Sequence, residues 1–449
     1  MKIRYFALAT LCGLTGYCTA ITADTGRPNY ELEIGLTESR LKGVTLGDDQ
    51  LLDRLDNREI TIQFDLEYPL DDQFYVFFGA ELFNEEETFK TANTGVDASG
   101  FELGGTGVGY TWGEDVEYQL EFGRIEYSDE RQWWWDEYLD TIRMQFDLND
   151  IEFMLATGSQ QGRERSSDDF IDPQEEDISR VLARINWKLG TDQRVSFYYL
   201  SQEDESALYL VSDTIAENRV DESDADLRWF GLAYQGALEA DSIGAIDWRI
   251  GYAKLSGDEI VYDISDPVAN IVTVDDIDSF DIDASAYELS FEWQPTWVDD
   301  VSIFYVYAAG SGDANQGDSK IDSFRQSGLH NNEADFLYYG ELFQPEVSNI
   351  KIHSLGISLG AIDNLDVSLL LHDYRQDEAD SEMRDVAIDL DPNGLSRDLG
   401  SEIDLIAVYE LDNGLELEFV TAVFEAGAAY GANAGSKSRY WSVDLTYYF

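Results

Sequence analysis

Cysteine is nearly missing from this chain, and both copies, Cys12 and Cys18, fall within its first twenty residues. A secretory leader is legible there. Lys2 and Arg4 precede a short apolar stretch from Tyr5 to Tyr17, and small residues around Ala20 and Ala23 offer cleavage points. Leu11 and Tyr17 stand before the two cysteines, so neither has a lipoprotein context. Removal of residues 1–23 leaves 24–449 without a thiol, which excludes disulfides and thiolate metal sites. Histidine is scarce as well: His330, His353 and His372 are the whole supply, and no G-x-S-x-G occurs. A serine hydrolase has little to work with, and no enzyme activity is expected. Acid pairs such as Glu117 and Glu121 could imitate glycosidase carboxylates, but acids are too abundant for that spacing to discriminate. Only 7 prolines occur, as suits a chain held mostly in paired strands. No run of about eighteen apolar residues appears, which excludes a transmembrane helix and leaves the closed barrel as the other way to span a bilayer. Basic residues are few, 29 against 91 acids; the net charge of -62 argues against a nucleic-acid partner.

Aromatic residues are plentiful, with 10 Trp, 26 Tyr and 23 Phe, enough to supply interfacial girdles. The last ten residues, Tyr440 to Phe449, put Trp441, Val443, Leu445, Tyr447 and Phe449 on one face and polar groups on most of the other. An exported chain that closes on such a strand reads as an outer-membrane β-barrel. Eighteen segments of about 8 to 12 residues share this character, among them Phe101–Tyr110, Arg228–Gly236, Ile246–Ser256 and Ser285–Trp293. Their connections alternate. Short ones such as Asp71-Asp72, Leu148–Asp150 and Leu411–Gly414 separate long ones such as Gln160–Asp177, Gly257–Ala284 and Gly310–Asn349. The expected fold is therefore all-β: an antiparallel transmembrane barrel with short periplasmic turns and long extracellular loops. The long loops hold most of the acid, including Asp275, Asp276 and Asp278.

Period-two alternation assigns faces. Val181, Ala183, Ile185 and Trp187 point to lipid, so Arg180, Arg184, Asn186 and Lys188 point inward. By the same reasoning Arg143, Arg194 and Arg249 line the lumen. The opposite phase would put Arg184 on the lipid face at mid-membrane, at a cost of about 2–4 kcal/mol. Other strands carry inward acids: Glu117, Glu121, Glu288, Glu292, Glu416 and Glu418. Either these charges pair across the lumen, or the bases form a selectivity ladder for anions. The acidic loops do not decide it, because the screening length at physiological salt is about 8 Å. His353 and His372 sit on adjacent expected strands and read as a cross-strand polar pair. Gly310–Asn349, the longest connection, is expected to fold inward as a constriction, bringing Arg325 with it. Asp313, Asn315, Asp318 and Asp322 alternate oxygen donors around Gly317, loosely like a calcium loop, though without a closing glutamate. These four are the candidate Ca²⁺ ligands; no other cofactor is expected.

Three segments resemble the alginate-export family of outer-membrane channels. One is Phe122-Gly123-Arg124-Ile125, running on to Gln132-Trp133-Trp134-Trp135-Asp136 and the strand with Arg143. The second holds Ser311-Gly312-Asp313, Phe324-Arg325-Gln326-Ser327-Gly328-Leu329, Asn331-Asn332, Tyr339-Gly340-Glu341 and Pro345-Glu346-Val347-Ser348-Asn349. The third is the closing pair of strands with Gly427 to Tyr430 between them. The resemblance implies a monomeric barrel of about eighteen strands that passes an anionic polysaccharide through an arginine-rich constriction, and it implies pore-lining roles for Arg124, Arg143 and Arg325. Strict alternation puts Arg124 outward, so that role requires a bulge after Phe122 or a position above the membrane. The partners expected are membrane lipid and lipopolysaccharide, an anionic polymer or smaller anionic solute, and a periplasmic secretion partner. A general porin for small nutrients and an acidic surface-display barrel are the alternatives.

Overall fold

The computed structural model describes residues 28–449 apart from 47–52, 91–93, 114–115, 130, 132, 163–164, 168–170, 172, 175, 205, 207–208, 266, 268–269, 299, 330–338, 385 and 412. The expected leader with Cys12 and Cys18 lies outside the described residues, as do His330, Asn331 and Asn332.

The strands are β1 (Asn29–Lys42), β2 (Arg54–Pro69), β3 (Phe74–Phe89), β4 (Thr94–Trp112), β5 (Glu117–Ser128), β6 (Asp136–Leu148), β7 (Ile151–Ser159), β8 (Ile178–Lys188), β9 (Gln193–Asp204) and β10 (Thr214–Ala216). They continue with β11 (Ser223–Ala240), β12 (Gly244–Ile264), β13 (Ile271–Gln294), β14 (Val301–Gly310), β15 (Lys320–Ile321), β16 (Ile350–Ile362), β17 (Leu365–Gln376), β18 (Asp398–Glu410), β19 (Leu415–Ala426) and β20 (Lys437–Tyr448). The two shortest, β10 and β15, pair only with the upper part of β13 and stand outside the wall. The other eighteen each pair antiparallel with two neighbours. The final strand returns to the first, from Glu33↔Tyr448 to Lys42↔Arg439, and so closes the barrel with no free edge. Tight turns join the strands at one end, with Asn149 and Asn364 at positive φ, where a short polar side chain is tolerated.

Exposure follows the alternation read from the sequence. Ile34, Ile62, Phe122, Ile142, Ile185, Phe197, Phe230, Ile250, Leu289, Leu355, Leu371, Ile403 and Phe419 all face outward as a continuous apolar band. A barrel wall in hydrocarbon needs such a band, because every backbone group is already paired within the sheet. No described helix is long and apolar enough to cross a membrane.

Several strands are longer than the sequence pattern suggests. The stretch Gly257–Ala284, expected as a loop, is mostly a ribbon in which β12 and β13 stay paired from Gly257↔Ile282 to Ile264↔Val274. Acids alternate there with Ile and Val, and beyond the membrane an alternating polar strand pairs as well as an apolar one. β4 likewise begins at Thr94 rather than Phe101, and β11 begins at Ser223 rather than Arg228.

The interior is not hollow at every level. Phe324, Leu329, Leu342, Phe343 and Val347, from the segment between β14 and β16, are buried together with Trp133, Trp134 and Trp135 from the segment between β5 and β6. Inward residues of distant strands complete this core, among them Tyr127, Leu182, Trp229, Leu255, Ile352, Tyr374 and Phe424. The described part of the longest connection therefore does fold inward.

Candidate functional site in the barrel lumen

The inward loop is tied to opposite walls. On one side Trp229 Nε1 donates to the carbonyl of Arg325 at 3.0 Å, and Ser327 Oγ donates to the carbonyl of Trp134 at 2.5 Å. On the other side Glu402 of β18 accepts the backbone N–H groups of Leu342 at 2.8 Å and Phe343 at 2.9 Å, and Tyr374 Oη donates to the carbonyl of Tyr339 at 2.6 Å. In the middle Trp133 Nε1 donates to Tyr339 Oη at 2.8 Å, which in turn donates to Glu288 of β13 at 2.8 Å. Gly231 on β11 makes room for Trp134: a Cβ there would lie 2.0 Å from the indole ring. The same ring stacks on Tyr198 of β9 at 5.0 Å with 5° between planes.

The bases expected in the lumen separate into two groups. Arg143 Nε donates to Glu121 at 2.7 Å, Arg249 lies 3.8 Å from Glu288, and Arg325 Nη1 donates to Glu259 at 2.8 Å. Lys188 contacts Glu152 at 2.5 Å near the end of β8. For these four, pairing of opposite charges describes what the side chains do. Arg184 and Arg194 differ. Both point inward and are half-buried, and among the described residues neither has a carboxylate within ion-pair distance. Glu152 on β7 is engaged by Lys188 and Asn186, with Arg194 in electrostatic reach beyond them. Arg180 is the most enclosed of the bases, 2% exposed, one turn of the pleat pattern above Arg184 on the same face. Residues four apart on a strand stand about 13 Å apart, so Arg180, Arg184 and Lys188 form a spaced column along β8.

Arg124 is buried although strict alternation would turn it outward. The irregularity follows Phe122, where Gly123 takes φ +144, and opposite it β4 slips register beside Gly104 and Gly105. Arg124 Nε then donates to the carbonyl of Leu103 at 2.9 Å, and its guanidinium lies 5.8 Å from the Tyr138 ring centroid.

His353 and His372 are not a cross-strand pair. The register sets Ser354, not His353, opposite His372, so the two rings lie on opposite faces of the wall. His353 faces outward, with Nδ1 at 2.8 Å from Tyr305 Oη. His372 is buried in the lumen, 2.7 Å from Ser354 Oγ and 3.1 Å from Asp404 Oδ2. That sequence of hydroxyl, imidazole and carboxylate is sealed beneath the loop, where Asp404 also accepts the N–H of Glu341 at 3.3 Å.

The four expected calcium ligands do not converge. Asn315 Nδ2 donates to Asp318 at 2.5 Å, Asp322 is engaged by Lys320 at 2.5 Å, and Asp313 accepts the N–H of Asn315 at 2.8 Å. Among the described residues the carboxylates that do meet are Asp204, Asp221 and Asp224, within 4.8 Å of one another above β9 and β11. The hydroxyl of Ser206 lies between Asp204 and Asp221, and Tyr262 Oη donates to Asp224 at 2.5 Å. Sequence spacing could not find this group, because it joins the end of one strand to the start of another.

A closed eighteen-stranded wall with an apolar belt and a charged, loop-crossed interior defines an outer-membrane β-barrel channel. The family described as alginate export matches residues 70–444, and the chain belongs to it. It is 23% identical over 360 residues to alginate production protein AlgE of Pseudomonas aeruginosa, covering 74% of this chain and 70% of that one. It is 22% identical over 353 residues to alginate production protein AlgE of Azotobacter vinelandii, covering 70% of each. The fold is shared with solved barrels of Pseudomonas aeruginosa. OccK7 (OpdD) aligns with a TM-score of 0.59 at 10% identity, over 95% of this chain and 99% of that one. OccK5 (OpdH) aligns with 0.57 at 9% identity, over 94% and 98%.

Proposed function

We propose that the protein is a passive conduit in the outer membrane of a Gram-negative bacterium, that it carries an anionic polysaccharide along inward arginines, and that it performs no catalysis. The observation that carries this reading is the pair Arg184 and Arg194, which face the lumen on adjacent strands with no carboxylate within ion-pair distance among the described residues. An unneutralised guanidinium in a confined, partly desolvated channel attracts carboxylates far more strongly than one in bulk water, and presents a fork that matches them. Family membership and the two alginate production relatives agree with a uronate-bearing polymer. The buried Ser354, His372 and Asp404 serve this reading as a wall contact for the loop, because no substrate path reaches a serine that is 1% exposed.

Planar-bilayer recordings test it. In a salt gradient the reversal potential should report anion preference, and oligouronates added on one side should interrupt the current. The variant R184A/R194A should lose most of both effects. Unchanged selectivity and unchanged block would remove the proposal. A smaller anionic solute is the second reading, favoured by the loop core that joins Trp133, Tyr339 and Glu288 across the lumen. Block by monomeric uronate equal to block by the oligomer would favour it.

A further inference from the structure

The outer surface of the wall carries an uneven charge. At the closing seam the outward residues of three adjacent strands stand in register. The apolar row Leu445, Leu36 and Ile60 lies below, and the rows above it hold Val443, Glu38 and Arg58, then Trp441, Arg40 and Asp56, then Arg439, Lys42 and Arg54. Lys437 continues the patch beside Glu425. Six bases therefore gather on one outward face: Arg40, Lys42, Arg54, Arg58, Lys437 and Arg439. Among the described residues the acids on that face are Glu38, Asp56, Glu425 and, on β3, Glu86. Asp56 is shared by Arg40 at 2.5 Å and Arg54 at 2.8 Å, and Lys437 contacts Glu425 at 2.9 Å. The face keeps a positive surplus in a chain whose net charge is -62. Lys254, Lys351 and Arg375, elsewhere on the wall, are each matched by one acid: Asp283, Asp377 and Asp373.

The level of the patch identifies what meets it. The seam rises from the end that carries the tight turns, through the apolar band, to the end that carries the long loops. Trp441 lies in the second row above the apolar one, with the Arg40 guanidinium 5.6 Å from its ring centroid, as an interfacial tryptophan does. Bases at that depth cost about 0–1 kcal/mol, against about 2–4 at mid-membrane, so the wall tolerates them there. Neighbouring strands are about 4.8 Å apart and successive outward residues about 6–7 Å apart, so the six cationic groups cover a patch the size of one lipid headgroup. An apolar band directly beneath suits acyl chains, and guanidinium groups suit phosphate geometry.

We propose that the β20–β1–β2 seam binds the phosphates of lipid A in the outer leaflet, with the acyl chains lying against Leu36, Ile60 and Leu445. The site is separate from the lumen and acts whether or not the channel carries a polymer. Full-length protein in detergent, titrated with bisphosphorylated lipid A and followed by native mass spectrometry, tests it. The wild type should hold this lipid at least about tenfold more tightly than a phosphate-free lipid A. The variant K42Q/R58Q/R439Q should lose that difference, whereas R228Q, on the outward face of β11, should keep it. Single-channel conductance should stay the same in both variants, which separates this site from the lumen. Equal affinity of the wild type for the two lipids overturns the proposal without reference to any variant. Undiminished phosphate preference in the triple variant overturns it too.

Discussion

Arginine stands in two environments inside this barrel, and the neighbouring carboxylates decide which. Arg143 is paired with Glu121, whose side chain is only about 6% exposed. Removing one member of such a buried pair leaves the other charge without compensation, which typically costs about 3–5 kcal/mol. R143A should therefore lower the unfolding free energy in a urea titration of vesicle-inserted protein by roughly that amount. R184A should change it by less than about 1 kcal/mol, since no ion pair is broken, yet should shift the reversal potential more than R143A does. The opposite ranking in both measurements would show that the bases act as a single unit. Alternation sufficed to point Arg143, Arg184 and Arg194 inward. It could not tell which of them has a partner, because Glu121↔Arg143 is a pairing between strands and depends on register. The histidines show the same limit: one residue of register separates a lumen ring from a lipid-facing one.

At the level of elements, the segment between β14 and β16 acts as a plug held by backbone contacts to wall carboxylates. Glu402 takes two of its N–H groups, so E402A should loosen the loop, raise conductance and expose Arg325 to trypsin in the folded protein. Wild-type conductance and protease resistance would show that the wider aromatic core holds the loop without Glu402. Gly231→Val should act on the same plug from the other side, because any side chain there meets Trp134. A larger and noisier single-channel current is the expected readout. Above the wall, burial raises the Asp221 carboxyl, with a hydrogen bond from Ser206 opposing the effect. A carboxyl raised in the folded state stabilises that state while protonated, and the contribution fades as pH rises through the folded value. A nitroxide on L210C, beside Tyr209, which meets the Asp221 backbone, should grow more mobile from the ordinary carboxylate range up to neutrality. A spectrum that does not change with pH would contradict this. The sequence named the inward loop by its length and aromatics. It missed the β12–β13 ribbon, because acidic alternation looks like a loop when charge alone is weighed.

For the whole molecule, closure is what matters. β20 pairs with both β19 and β1, so deleting Lys437–Phe449 removes two ladders and opens an edge in lipid, where unpaired backbone groups are costly. The truncated chain should lose the heat-modifiable, fast-migrating band of a folded barrel on electrophoresis; a truncated chain that keeps the band would mean that the wall closes without its last strand. The sequence by itself determined that the chain forms strands of membrane-spanning length and turns apolar residues to lipid and charged ones inward, because period-two alternation assigns every side chain to one face or the other. The tertiary structure alone decided which charges neutralise each other, how the loop fills the lumen, and where an excess of positive charge gathers on the outer wall. Each of those depends on register between strands far apart in the chain, and a one-residue slip in register moves every side chain to the other face.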